Sequence, residues 1–261
     1  MSESTATAQS LLDLVAGPDA SKQLRVPYRE RDYDNRGVME DAIRAGYQLA
    51  EVLEASEPDP ERVRRLACDL IVAAINGPDG YYTNSLVMEF FDYLHEPSAE
   101  NRERLHELAS NWARVLHRQH LEKSVGAAAD FVIDTLGDQD LVLRMLHATE
   151  ALLRRWQQGG GAKKETRHRL NALVMFTFHL RDVLSRQELL DLLDLPHEVF
   201  DLYGDPNRYS LKDRLVMKPR YASELAFLEG RVQQLIQTQF RIDVYESANK
   251  AFGWYTDEVS P

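Results

Sequence analysis

The chain has 261 residues, 44% of them hydrophobic, a single cysteine and a formal net charge of -11. This length and apolar content supply a core without disulfide or metal staples, and Cys68, lacking a second cysteine, reads as a buried structural thiol. An acidic surface works against general adhesion to nucleic acid or anionic lipid, and the lack of a basic leader or an apolar run of about 18 residues points to a cytoplasmic protein with no membrane contact.

Apolar residues recur at spacings of three and four almost throughout, and no alternating β-branched runs interrupt them. The predicted fold is therefore all-α, a globular bundle of roughly ten helices with a long C-terminal helix. A short helix over 8–16 and an irregular arm make a first region, residues 1–33. The main bundle, 34–203, opens with a helix that is capped by Asp34 or Asn35, carries Met39, Ile43, Tyr47, Leu49 and Val52, and ends before Pro58. Asp59 and Pro60 start the next, which runs to the turn 76–80.

Further helices are predicted over 84–95, 98–123, 125–136, 138–158 and 163–184. The last is apolar on nearly every face through 173–178, the mark of a central helix. One or two short helices split at Pro196 fill 185–203. The third region, 204–261, begins with a loop lacking periodicity, 204–220, and continues as one helix over 221–251 that packs on the bundle. Leu225, Leu228, Val232 and Leu235 form one apolar stripe of that helix, and Ile236, Phe240 and Val244 a second. Two stripes imply two neighbours, both within the chain or one of them a second copy in a homo-oligomer.

Charge is unevenly spread. Residues 30–61 hold ten acids and three arginines, whereas 151–181 hold seven Lys/Arg and one Glu. In the basic stretch Gly159, Gly160 and Gly161 precede a helix start near Lys163. Free backbone amides and the positive end of a helix dipole thus coincide with Arg154, Arg155, Lys163, Lys164, Arg167 and Arg169. These residues make a candidate anion- or nucleic-acid-binding corner, although an ordinary solvated helix connection accounts for them as well. The glycine-lysine-hydroxyl ending of a P-loop is missing, so nucleotide hydrolysis is not implied. Arg208, Lys212, Arg214, Lys218 and Arg220 form a second set that reinforces the corner if the fold brings them alongside. Tyr209 and Tyr221, interleaved with them, suit base stacking or loop anchoring.

Other constellations are incomplete. Glu103-x-x-His106 and Glu165-x-x-His168 have the spacing of di-iron bundles, with Glu89 and Glu150 as nominal bridging ligands, but Glu165 and His168 fall in a polar first turn. His117 and His120 are close enough to share a zinc ion, whereas His106 lies too far along the helix axis. Asp130 and Asp134 read as capping or ion-pairing groups. Glu51 and Glu54, followed by Asp69 on the next helix, resemble in part the paired acidic helices of all-α nucleotide pyrophosphohydrolases of the MazG kind, a resemblance that implies magnesium chelation. The pattern breaks at Leu66, where the second helix of that family carries a Glu.

With no catalytic constellation complete, neither a metal nor another cofactor is expected. The expected function is that of a non-catalytic helical interaction or adaptor subunit of a cytoplasmic complex. It has a protein partner and, at the basic corner, an anionic one that includes nucleic acid. A metal- or phosphate-dependent helical enzyme and an oligomeric scaffold are the alternatives.

Overall fold

In a computed structural model the described residues are 36–76, 83–201, 208–219, 222–242 and 244. The predicted helix over 8–16, Arg220, Tyr221 and the aromatic tail 252–255 lie outside them. Among the described residues every regular element is helical, so the fold is all-α. The chain divides into two compact units at His117 and Arg118.

The first unit holds α1 (Arg36–Leu53), α2 (Pro60–Asn76), α3 (Thr83–His95) and the greater part of α4 (Ala99–Lys123). Helix starts follow local chemistry. Asp59 Oδ1 accepts the Glu61 amide at 3.1 Å with Pro60 as the first helical residue, and Ser98 Oγ accepts the Asn101 amide at 3.1 Å. Just beyond α1, Arg102 Nη1 donates to the carbonyls of Ala55 and Ser56 at 3.0 and 2.9 Å. Leu49, Val63, Leu70, Leu86, Phe90 and Trp112 fill the core of this unit.

The second unit contains the end of α4, then α5 (Val125–Leu136), α6 (Gln139–Leu146), α7 (Glu150–Gln157), α8 (Lys164–Leu180), α9 (Arg186–Asp194), a 3₁₀ turn (Glu198–Phe200), α10 (Leu211–Val216), α11 (Ala222–Ala226) and α12 (Leu228–Phe240). Its axis is α8. Between Arg169 and Leu180 all residues but Asn171 are buried, and α5, α6, α11 and α12 pack around it. An apolar surface on every face, read from 173–178, is what such surroundings require.

Three expectations are corrected. The helix predicted over 138–158 is two helices, because His147 turns into the left-handed region (φ 53°) and Thr149 recaps the chain by accepting the Leu152 amide at 3.3 Å. The predicted loop contains α10, opened by a capping box in which Ser210 Oγ accepts the Asp213 amide at 3.0 Å and Asp213 Oδ2 accepts the Ser210 amide at 2.9 Å. The described residues do not form the one long helix expected at the C-terminal end: α11 and α12 are separated at Phe227, and α12 closes at Arg241 with φ 55°. Its 13 residues span about 20 Å, less than half the predicted length. Among the described residues no helix is long and apolar enough to cross a membrane.

Candidate functional site

Between the end of α7 at Gln157 and the start of α8 at Lys164 the chain reverses in a corner. Gly159 adopts φ 93° and donates its amide to the Trp156 carbonyl at 2.9 Å, and the Gly160 amide reaches the Arg155 carbonyl at 2.8 Å. A Cβ on Gly160 would lie 2.6 Å from Arg155 Cγ and 2.7 Å from its carbonyl oxygen, so the chain folds back over Arg155 only with glycine there. Behind the corner, Trp156 and Leu153 anchor α7 in the core. Gly126 of α5 admits them, since a Cβ in its place would stand 2.6 Å from the Trp156 carbonyl oxygen. The turn is thus fixed from behind.

On its outer side, Lys163 is the N-cap residue of α8 but supplies no side-chain hydrogen bond, which leaves the first-turn amides without a side-chain cap. Arg155, Lys163 and Lys164 are exposed and, among the described residues, form no ion pair. The other cations of this stretch are engaged. Arg154 pairs with Glu150 at 3.5 Å, and Arg167 Nη1 donates to the Glu122 carbonyl at the end of α4 at 2.9 Å.

Arg169 faces inward. It is 2% exposed, with Nε donating to the Leu215 carbonyl at 2.9 Å and Nη2 to the Met217 carbonyl at 3.5 Å. His147 Nε2 donates to the intervening Val216 carbonyl at 2.8 Å, so two side chains close the C-terminal end of α10, whose last carbonyls have no helical partner. Burial pushes the Arg169 guanidinium below its usual pKa, with Glu165 opposing, yet a guanidinium stays charged.

Two members of the second basic set are engaged too. Lys212 pairs with Asp194 at 2.7 Å. Arg214 Nε donates to the Phe200 carbonyl at 2.6 Å, and its guanidinium lies 3.7 Å over the Tyr209 ring, the face a stacked base would use. Arg208 and Lys218 are exposed, and Arg220 is outside the described residues. The two basic segments meet where Arg169 grips α10. A cation absent from the sequence-based candidates, Arg231 of α12, joins this region: its Nη1 donates to the carbonyls of Val199 and Asp201.

The metal-like patterns do not assemble. His106 pairs with Glu54 at 3.5 Å, Glu89 with Arg104 at 3.3 Å, and Glu103 and Glu165 are exposed. Among the described residues no three His, Cys, Asp or Glu side chains stand together so as to hold a metal ion. Asp130 instead accepts from Gln157 Nε2 at 2.8 Å, tying α5 to the last turn of α7. Glu51 and Asp69 are exposed, and Leu66, on the same helix as Asp69, is buried in the first core. The Cys68 thiol is pushed up to about 11 by burial, reinforced by Asp69 and opposed by Arg64, and so stays protonated and unreactive at neutral pH.

Fold and site together define an all-α protein that presents a rigid basic corner at a helix junction. No protein-family model matches the chain, and neither a curated protein nor a solved structure is significantly similar to it.

Proposed function

We propose that the protein is a non-catalytic helical interaction subunit, working in the cytoplasm, that receives a polyanionic partner at the α7–α8 corner. One observation carries this reading: in a chain of net charge -11, Arg155, Lys163 and Lys164 are exposed and, among the described residues, unpaired on a fixed turn, beside helix amides without a side-chain cap. Amides at a helix start and mobile cations around them form a phosphate-binding arrangement. No aromatic side chain of the corner is exposed for stacking, since Trp156 is buried, so the contact is to a phosphate backbone and carries no base sequence. The remaining faces are left for protein neighbours.

Nucleic acid is the partner to test first. A labelled duplex followed by fluorescence anisotropy at low salt should show saturable binding, its affinity falling with a log–log salt slope of about -0.9 per phosphate neutralised. Replacing Arg155, Lys163 and Lys164 together by Glu should abolish binding while the circular dichroism spectrum is retained. Lack of binding by the wild type at low salt, or equal binding by the triple variant, would overturn the reading.

A further inference from the structure

A cavity of about 250 Å³ lies in the second unit, lined by the end of α4, one face of α8 and the first turn of α12. Asn171, Val174, Met175 and Phe178 stand at spacings of three and four and so share that face of α8. The last three, with Leu121 of α4, make an apolar wall of buried side chains. His179 is buried too and packs edge-on against Phe178, ring centroids 5.4 Å apart.

The polar groups around this wall differ in whether they have partners. Arg118 Nε pairs with Glu122 at 3.0 Å, and its Nη1 donates to the Val244 carbonyl at 3.3 Å. Those two charges answer each other. Asn171 and Glu229 are half-buried and, among the described residues, their side chains make neither a hydrogen bond nor an ion pair. Glu229 lies in the first turn of α12, where the helix dipole favours an ionised carboxylate. An ionised carboxylate only accepts, and the Asn171 amide oxygen accepts as well. The cavity therefore offers unused acceptors, one of them charged, at the edge of an apolar wall.

Size narrows the ligand further. With roughly 30 Å³ as the share of one water in the liquid, the cavity has room for about eight non-hydrogen atoms. Sites that enclose a whole nucleotide or cofactor run to several hundred Å³.

We propose that this cavity binds a small organic ammonium ion. Its apolar body lies against Leu121, Val174, Met175 and Phe178, and its ammonium group pairs with Glu229, with Asn171 as a further acceptor on the lining. Met175, unbranched and polarizable, adapts the wall to the body it meets. An organic anion is disfavoured, since Arg118 is already engaged by Glu122 and Glu229 repels it. No residue of the α7–α8 corner takes part, so this site and the reading given for that corner stand or fall separately.

The test is a ligand-observed NMR titration of the full chain with benzylamine, which is of this size, with benzyl alcohol and benzoate as parallel arms. Saturable binding of benzylamine is expected, about tenfold tighter than that of benzyl alcohol, with benzoate the weakest. Glu229→Gln should weaken the amine by about tenfold and leave the alcohol unchanged, whereas a loss of structure would move both. Glu198→Gln, at an exposed acid outside the cavity lining, should leave both unchanged, which separates the site from a general attraction of cations to an acidic chain. Failure of benzylamine to saturate, benzoate binding as tightly as the amine, or the same response to Glu229→Gln and Glu198→Gln would overturn the proposal.

Discussion

Lys163 and Lys164 stand exposed on the α7–α8 turn without an ion pair among the described residues, whereas Lys212 and Arg214, further along the chain, are tied to Asp194 and to the Phe200 carbonyl. Arg169 belongs to the first segment by sequence and to the second by behaviour, since it is buried against the end of α10. The difference shows that the charge summed over a stretch of sequence is not the charge its surface offers. Backbone carbonyls, those at helix ends among them, engage cations and leave the formal count untouched.

The largest test of that contrast is Arg169→Met. It strips two carbonyls of a buried donor and should lower the unfolding free energy by about 3 kcal/mol, read from urea denaturation. A loss under about 0.5 kcal/mol, the range of ordinary surface substitutions, would place Arg169 with the solvated cations instead. Next comes Gly126→Ala, which pushes a methyl group into the Trp156 carbonyl that anchors the corner. The expected cost is about 2 kcal/mol, visible as a lower thermal midpoint; a neutral effect would mean that the turn is not held from behind.

Lys163→Ala with Lys164→Ala should leave stability within about 0.5 kcal/mol while weakening anion binding. Destabilisation well beyond that would show that these lysines, too, have an internal role. The smallest effect concerns an acid closing a helix start. The Ser185 hydroxyl and amide both donate to Glu188 and hold its carboxyl below the usual glutamate range. A depressed folded pKa means that this contribution is complete above the unfolded glutamate value and is lost as pH falls through the folded one. Ser185→Ala should therefore flatten the dependence of the thermal midpoint on pH within that acid window, and an unaltered slope would remove the capping box from the account.

Much of the fold is legible in sequence because several boundaries are local backbone requirements. Pro60 after Asp59, Ser98 before Asn101, and Gly137 followed by Asp138 each mark an observed helix end. Other boundaries leave fainter traces. His147 occupies a left-handed position without being glycine, and the available signal was Thr149 followed by Glu150. The pair Ser210 and Asp213 announces α10, but that helix buries only Leu211 and Leu215, too few for a period to emerge. Phe227 interrupts α11 and α12 with neither glycine nor proline at the break.

For the site, the clustering of cations is legible and their engagement is not. Backbone carbonyls accept from Arg167, Arg169, Arg214 and Arg231. Every residue has one, so no side chain marks which of them a distant arginine will meet. The position of Arg231 beside the Leu228, Val232 and Leu235 seam is the one hint that its guanidinium would be drawn towards a packed neighbour.

Each unit buries one tryptophan, Trp112 in the first and Trp156 in the second. The chain has three, and Trp254 lies outside the described residues. With Trp112 and Trp254 replaced by Phe, the indole emission of the second unit comes from Trp156 alone, directly beneath Gly159, whose amide its carbonyl accepts. Any partner or substitution that loosens the turn admits water to that indole and moves its emission to longer wavelength, so the corner carries its own optical gauge.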